Sequence, residues 1–281
     1  MAAAGMRPQQ LLHKIPNRLW HGVDRCLGPG RGAWPYCVVA FHRIGDYGDE
    51  LAYPAGGFAE LCRYWRDHYE IISLDQLLAR LAHGDGASAP TLSITFDDGY
   101  RDNHDVAAPI LDRLELSATF FITAGAIGTE RRFDWDAGLA QRPALMHWDE
   151  VRALHAAGFG IGSHTLSHAR VSTVHGSELD RELTGSRRLI EAELHQPVED
   201  FAYPYGLPGD CGIEARQAAR DAGYRTCLSC HGGWIDAWSS PFELQRVCIS
   251  PRYHARARDW ARQYSRMLWR RRYPTTERTA A

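Results

Sequence analysis

The sequence has no run of 18 apolar residues, which is about the length that a helix needs to cross a membrane. Its first residues also lack the apolar core of a secretory signal. The seven cysteines are odd in number and scattered along a large chain, which is more typical of reduced thiols than of a disulfide framework. Together these absences predict a cytoplasmic protein.

The sequence also has no large excess of positive or of negative charge. The 32 basic and 34 acidic residues leave a formal net charge of −2, so no overall field favours nucleic acid as a partner. The sequence also contains no long internal repeat and no low-complexity tract. What is present, 281 residues of which 44% are hydrophobic and 23% charged, is typical of a globular protein with one large α/β domain or two small ones.

Both ends of the chain differ from its centre. Residues 6–27 are basic and amphipathic and precede a stretch rich in glycine and proline, which predicts a helical arm and a linker over residues 1–35. The tail carries aromatic side chains among many arginines, which predicts a basic amphipathic element over residues 256–281. We favour docking of this element on the main domain, with the arginines in solvent. Peripheral contact with the inner face of a membrane is the alternative.

The central residues 36–255 alternate short apolar runs with helical stretches. Predicted strands cover residues 37–41, 70–73, 91–96, 118–123, 160–162, 200–203, 225–228 and 244–249. Predicted helices cover residues 58–68, 74–82, 103–114, 148–157, 178–194 and 212–222. Strands that alternate with helices indicate a parallel sheet with right-handed crossovers, and such a series can close into a barrel. We therefore predict a single α/β domain built on a (β/α) barrel.

Polar side chains follow four of the predicted strands. The four clusters contain His42, Asp97, His164 and Tyr203, each directly after an apolar run or within two residues of its end. Because the catalytic groups of such a barrel lie at the carboxyl ends of its strands, we expect these clusters to form one site.

Asp97 and Asp98 follow the apolar run 92–96 and precede Gly99. Neighbouring strand residues point to opposite sides, so two adjacent carboxylates converge only where the strand breaks into a turn, which Gly99 permits. A cation would relieve their repulsion, because one carboxylate could bind it while the other stays free as a base. Alternatively, the aspartates cap the helix predicted from Asn103. The pair alone does not decide between these interpretations.

His164 and His168 are four residues apart, which places both imidazoles on one face if they lie on a helical turn. Catalytic zinc usually has three protein ligands and an open position, and two histidines with one aspartate would complete such a set. Chance pairs are common in a chain with 14 histidines. In combination with the aspartates at another strand end, however, the spacing favours a metal site.

Three segments resemble, in the same order, the motifs of the polysaccharide deacetylases, the NodB-homology group of carbohydrate esterases. They are Thr95-Phe96-Asp97-Asp98-Gly99-Tyr100, Ser163-His164-Thr165-Leu166-Ser167-His168 and Phe201-Ala202-Tyr203-Pro204-Tyr205-Gly206. The segment Phe41-His42-Arg43-Ile44 is similar to the opening of many bacterial members. The resemblance covers roughly residues 36–250 and implies a distorted (β/α) barrel.

The resemblance also implies an activity, the metal-dependent hydrolytic removal of an N-acyl group, usually acetyl, from an amino sugar. It implies that Asp98, His164 and His168 bind a divalent metal, usually zinc. Asp97 is then the expected general base, and the backbone amide of Tyr205 is expected to help hold the oxyanion. The other residues expected around the substrate and the oxyanion are Tyr100, Pro204 and Arg246.

The sequence departs from the family pattern at two places. Many members restrain the catalytic aspartate with an arginine beside the proline of the third motif, but Ala202 occupies that place here, and Arg246 is our expected replacement. The late Leu-x-His element that supplies the general acid in other members has no clear counterpart. His42, at a predicted strand end, is the first candidate for this acid, and His231 is the second.

Cys227 and Cys230 form a Cys-x-x-Cys pair, but no second pair with zinc-site spacing exists, so we expect two ordinary cysteines rather than a structural zinc site. Two alternative functions stay open. One is a deformylase or deacetylase of a lipid-linked amino sugar at the inner membrane face. The other is a non-catalytic barrel that binds carbohydrate. In every case the expected partner is a carbohydrate, but the sequence does not identify the sugar, the acyl group or the size of the substrate.

Overall fold

The computed structural model of the protein describes residues 34–236 and 239–272, with side chains described up to Leu268. Residues 1–33 of the predicted N-terminal arm lie outside the described residues, as do residues 273–281 of the predicted tail. The strands are β1 Tyr36–Phe41, β2 Arg43–Ile44, β3 Ala52–Tyr53, β4 Glu70–Ile71, β5 Thr91–Phe96, β6 Thr119–Ile122, β7 Gly160–Ser163, β8 Asp200–Ala202, β9 Thr226–Leu228 and β10 Arg246–Cys248. The α-helices are α1 Ala55–His68, α2 Leu74–Ala82, α3 Ala108–Arg113, α4 Trp148–Ala156, α5 Gly176–Asp180, α6 Ser186–Leu194, α7 Ile213–Asp221 and α8 Ala257–Arg272.

The main sheet is a parallel barrel. Its strands run in the order β10-β1-β5-β6-β7-β8-β9, and β4 adds to the start of β5. A parallel bridge between Leu228 and Leu244 joins β9 to the segment that leads into β10. The Leu244 N–H donates to Cys227 and the Leu244 C=O accepts from Ser229, both at 2.9 Å, so this bridge nearly closes the ring. The predicted distorted (β/α) barrel is confirmed.

Strands β1 and β5 are buried on both faces, because helices cover the outside of the barrel. Inside, the Phe96 ring stacks between Phe41 at 5.4 Å and Phe120 at 4.8 Å, measured between ring centroids. Such a packed aromatic layer lies one residue before His42 and Asp97. This close packing restricts the movement of the polar residues that follow β1 and β5.

Two predicted helices contain a π-helical segment that the periodicity did not reveal. Asn103–Ala107 precedes α3, and Arg181–Gly185 lies between α5 and α6. A π segment covers only about one turn, so a helical period that is read over a longer window does not reveal it. Both segments have a structural role here, because each contributes a side chain that holds a loop of the candidate site.

The described part of the basic tail forms α8 and docks on the barrel. Its Trp260 ring meets Trp65 of α1 edge-on at 5.5 Å, and its Tyr264 ring meets Tyr69 at 5.0 Å. Trp260 and Tyr264 are fully buried. Among the described residues, no helix has both the length and the apolar composition that crossing a membrane requires. Contact of the tail with a membrane surface stays a prediction.

Cys230 and Cys248 form a disulfide that ties the loop after β9 to the end of β10. The expectation of reduced thiols is therefore wrong for this pair, because only the pairing of the strands brings two cysteines 18 residues apart together. Cys227, the other half of the Cys-x-x-Cys pair, is a buried free thiol, as are Cys37, Cys62 and Cys211.

Candidate active site

A cavity of about 400 Å³ opens at the carboxyl ends of the barrel strands. Its lining residues are His42, Leu51, Asp97, Asp98, Trp135, His164, His168, Tyr203, Tyr205, Leu207, Cys230 and Cys248. All four clusters that the sequence places at strand ends contribute to this lining. Around the titratable groups the wall is mostly apolar, and Tyr205 and Leu207 are 45% and 50% exposed at its mouth.

Asp98, His164 and His168 converge on one point of this cavity. The Asp98 Oδ1 atom lies 3.5 Å from His164 Nε2 and 3.2 Å from His168 Nε2. Both carboxylate oxygens of Asp98 are buried without a hydrogen-bond partner in the described part of the chain. One unpaired carboxylate between two imidazole nitrogens is a donor set that fits a divalent cation of the zinc type.

The electrostatics of the three residues agree with this fit. The His164 Nδ1–H donates to the Ala202 carbonyl at 2.8 Å, which leaves Nε2 with its lone pair toward Asp98. Burial lowers the pKa of His164 to about 4, so the imidazole is neutral at neutral pH. Burial alone would raise the pKa of the Asp98 carboxyl, but its contact with His168 holds this pKa below the ordinary value. A neutral imidazole and an ionised carboxylate are the forms that bind metal.

The two histidines do not lie on a helical turn, so that part of the sequence interpretation is wrong. After β7 the chain forms a loop in which Thr165 and His168 have φ of +63° and +58°. Glu182, from the π segment Arg181–Gly185, accepts from the Ser167 N–H at 2.8 Å and from the Ser167 hydroxyl at 2.7 Å. This buried carboxylate fixes the loop, and the loop brings both imidazoles to one side.

Asp97 forms a bidentate ion pair with Arg246 of β10. Arg246 Nη1 and Nη2 each donate to one Asp97 oxygen at 2.7 Å, and both side chains are almost completely buried. Arg246 also donates to the Ser229 carbonyl and to the Thr95 hydroxyl. Burial alone would raise the pKa of Asp97, but the Arg246 guanidinium holds it below the ordinary value. Arg246 thus takes the place of the arginine that the third motif lacks. The sequence names Arg246 as the expected replacement, and the structure shows that it reaches Asp97.

Replacing Arg246 with methionine is expected to lower the free energy of unfolding by about 3–5 kcal/mol, because Asp97 is then buried without its partner. Urea unfolding followed by circular dichroism measures the change. The double variant Asp97→Asn with Arg246→Met removes both charges and should recover part of the loss. An R246M protein as stable as the wild type would show that the pair contributes nothing to stability.

The third motif forms a tight turn at the cavity mouth. The Gly206 N–H donates to the Pro204 carbonyl at 2.7 Å, which closes a three-residue turn around Tyr205, and Tyr205 has a φ of +63°. This left-handed conformation is uncommon for a residue with a side chain. Gly206 packs so closely on the next segment that a Cβ atom would lie 2.5 Å from the Cys230 nitrogen. Glycine is therefore required there, and the turn places Tyr205 beside His168, with ring centroids 5.1 Å apart.

Of the two candidates for the general acid, His42 lines the cavity and His231 does not. The His42 backbone is held in place, because its carbonyl accepts from the Asn103 side chain at 2.7 Å. The next residue but one, Ile44, donates its N–H to Asp102 at 3.0 Å. The His231 Nε2 atom lies instead 3.6 Å from a Glu243 oxygen.

Tyr100 and Pro204, both expected near the substrate, are buried and do not belong to the cavity lining. The Tyr100 hydroxyl donates to Asp136 at 2.8 Å and accepts from the Trp135 indole N–H at 2.9 Å. Tyr100 therefore holds Trp135 in the cavity wall. Trp135, which no motif or spacing in the sequence identifies, lines the cavity with its ring 4.8 Å from the His168 ring.

Sequence comparison finds a matching family model and several similar proteins. Residues 84–227 match the family model described as polysaccharide deacetylase. The chain is 24% identical over 215 residues to the protein YxkH of Bacillus subtilis (strain 168), an alignment that covers 76% of this chain and 71% of the relative. It is 22% identical over 166 residues to the poly-beta-1,6-N-acetyl-D-glucosamine N-deacetylase of Staphylococcus aureus (strain MSSA476), which covers 56% of this chain and 53% of that protein.

Solved structures share the fold. IcaB from Ammonifex degensii superposes with a TM-score of 0.70 at 20% identity and covers 82% of this chain and 98% of that chain. At this identity the likeness shows the fold alone. The chain spans about half the length of the staphylococcal relative, so that protein's activity does not transfer to this chain by alignment.

Proposed function

Because the chain belongs to the polysaccharide deacetylase family, and so to the hydrolases of carbon–nitrogen bonds outside peptides, we propose that it removes the N-acetyl group of an amino sugar in a metal-dependent reaction. One observation carries this proposal. Asp98 is buried and unpaired between His164 and His168, beside an Asp97 that Arg246 keeps ionised. A charged base beside a donor set that fits a divalent cation, in an open cavity, is an arrangement that can hydrolyse an amide.

Asp98, His164 and His168 would hold the cation, and zinc is our proposed metal because two of the three ligands are imidazoles. A divalent cation bound there supplies Lewis acidity, which polarises the acyl carbonyl and lowers the pKa of water. The Ala202 carbonyl and Glu182 would keep the two histidines oriented, as outer partners of metal ligands commonly do.

The residues of the chain would then move the protons. Asp97 accepts a proton from the attacking water as the water oxygen bonds to the acyl carbon. The Tyr205 N–H donates to the oxyanion that forms. His42, in its protonated form, gives a proton to the sugar nitrogen as the carbon–nitrogen bond breaks, which releases acetate and the free amine. The net reaction consumes one water.

Acetate release from N-acetylated sugars tests this proposal. We expect the purified, zinc-loaded protein to release acetate from N-acetylglucosamine oligomers, to stop after chelation and to recover when zinc is returned. N-formyl and O-acetyl sugars in the same panel identify the acyl group and the bond. No release from any N-acyl sugar, or release that chelation leaves unchanged, would contradict the proposal.

A polymer or oligomer of N-acetylglucosamine is our first choice of substrate, since the staphylococcal relative is named for such a polymer. A lipid-linked amino sugar is the second. The exposed Tyr205 and Leu207 at the cavity mouth support it, because they offer apolar contact beyond the sugar. In the latter case the protein would work at the inner face of the membrane. Comparing free with lipid-linked N-acetyl and N-formyl sugars in the same assay distinguishes the two.

A further inference from the structure

Arg170, outside the family motifs, contacts the turn that carries Tyr205. It lies two residues after His168, and its guanidinium carbon is 3.9 Å from the centroid of the Tyr205 ring. This is close contact for a cation over an aromatic face. The Tyr205 ring thus contacts both Arg170 and the His168 ring, whose centroid lies 5.1 Å away.

The same guanidinium is fixed by Asp210. Arg170 Nη1 donates to both Asp210 oxygens, at 2.6 and 2.8 Å, and the Asp210 side chain is only 2% exposed. Asp210 also accepts from the Leu207 N–H at 3.1 Å and from the Ser172 hydroxyl at 3.1 Å. Asp210 therefore holds the backbone at Leu207, directly after the turn, while Arg170 holds the side chain of Tyr205.

We propose that Arg170 and Asp210 form a clamp that positions the Tyr205 amide for the oxyanion. This inference rests on the proposed deacetylase function. Tyr205 has a left-handed φ of +63°, a conformation that the surrounding structure has to maintain. In the described part of the chain, the Tyr205 N–H donates no hydrogen bond to the protein, so it is available to a ligand. Arg170 acts through Tyr205 and is a positioning residue, not a catalytic one.

The clamp also connects two parts of the site. Arg170 lies two residues after His168, at the end of the loop that carries both histidines, and Asp210 lies four residues after Gly206, the last residue of the turn around Tyr205. A shift of either loop would be transmitted through the Arg170–Asp210 pair to the other. Because an oxyanion donor acts only when it is correctly placed, a rigid connection between the loops would help to hold the Tyr205 amide in position.

Arg170→Met tests the clamp. We expect kcat to fall about 10- to 100-fold, since full loss of one oxyanion donor typically costs about 10²–10³-fold and the amide here is displaced rather than removed. KM should change less than about threefold. The affinity for a methylphosphonamidate analogue of the substrate, whose tetrahedral phosphorus replaces the acyl carbon, should fall by the same factor as kcat. Bound zinc should stay at the wild-type level.

Two further variants separate positioning from stability. The double variant Arg170→Met with Asp210→Asn avoids leaving a buried carboxylate unpaired, and it should show the same loss of kcat. Arg170→Lys keeps the charge but not the planar contact with Tyr205, so it should restore stability more than kcat. Arg220→Met is the matched control, because Arg220 lies over the Phe242 ring at 4.4 Å, away from the cavity, and should leave kcat unchanged.

Hydrogen exchange of residues 203–207 provides a readout that needs no catalysis. Faster exchange in this segment of R170M, with other segments unchanged, supports the clamp. Wild-type kcat and wild-type exchange would overturn it, as would a loss of kcat matched by a loss of zinc. A wild-type protein that releases no acetate would contradict the proposed function, while the exchange result would still decide on the clamp.

Discussion

Replacing Asp97 with asparagine is expected to reduce kcat by about 10²–10⁴-fold, the usual contribution of a general base. Asparagine has nearly the same shape and can still accept a hydrogen bond from Arg246, but it cannot take a proton from water. The proposed metal ligands Asp98, His164 and His168 are unchanged in this variant, so zinc binding should be retained. Turnover of N-acetylated sugar and the zinc content of the same preparation measure both effects.

Asp200→Asn is a suitable control for this experiment. Asp200 begins β8 and carries a carboxyl whose pKa burial raises to about 6, but it is not part of the cavity lining. D200N should therefore keep wild-type kcat. If D97N retained near-wild-type turnover with full zinc content, Asp97 would not be the base, and His42 would be the next residue to test in that role.

Much of the barrel follows from local pattern. β5 and α2 have the predicted bounds, since a continuous apolar run defines the strand and a capping box between Ser73 and Gln76 starts the helix. The convergence of the motifs also follows, because parallel strands of a barrel end at one face. The predicted strand ends were therefore enough to predict that Asp97, Asp98 and the two histidines share one cavity.

The parts of the site that could not be predicted from the sequence depend on contacts between segments that are far apart along the chain. Arg170 and Asp210 are 40 residues apart, and Cys230 and Cys248 are 18 apart, so no periodicity relates either pair. Trp135 lies in a short 3₁₀ turn, Asp134–Asp136, and is held to Tyr100 by a single hydrogen bond. For Arg246, the missing arginine of the third motif pointed to a replacement, but only the pairing of β10 with β1 brings it to Asp97.

The disulfide also bears on where the protein works. The Cys230 N–H donates to the Gly206 carbonyl at 2.7 Å, so this cysteine lies directly against the turn around Tyr205. Its partner Cys248 lies two residues after Arg246 on β10. The disulfide thus joins the segment that contacts the Tyr205 turn to the strand that carries Arg246. Because disulfides persist mainly in oxidising compartments, the cytoplasmic location predicted from the sequence needs a direct test by fractionation.

Replacing His164 with alanine is expected to weaken zinc binding more than about 100-fold, which exceeds the 10- to 100-fold typical for loss of an outer-shell partner. His164 is one of the three side chains proposed to hold the cation, and it is almost completely buried. Turnover should fall below detection, because the acyl carbonyl loses its polarising cation. His168→Ala should have the same effect, and His175→Ala, which changes an exposed histidine outside the cavity, should have none.

Thermal unfolding with and without zinc tests this prediction without any assay of activity. Zinc at about 100 times its Kd should stabilise the wild type by about 2.7 kcal/mol, because it binds the folded chain alone. H164A should show no zinc-dependent shift. A shift of wild-type size in H164A would mean that the cation binds elsewhere and that the Asp98 site is not the metal centre.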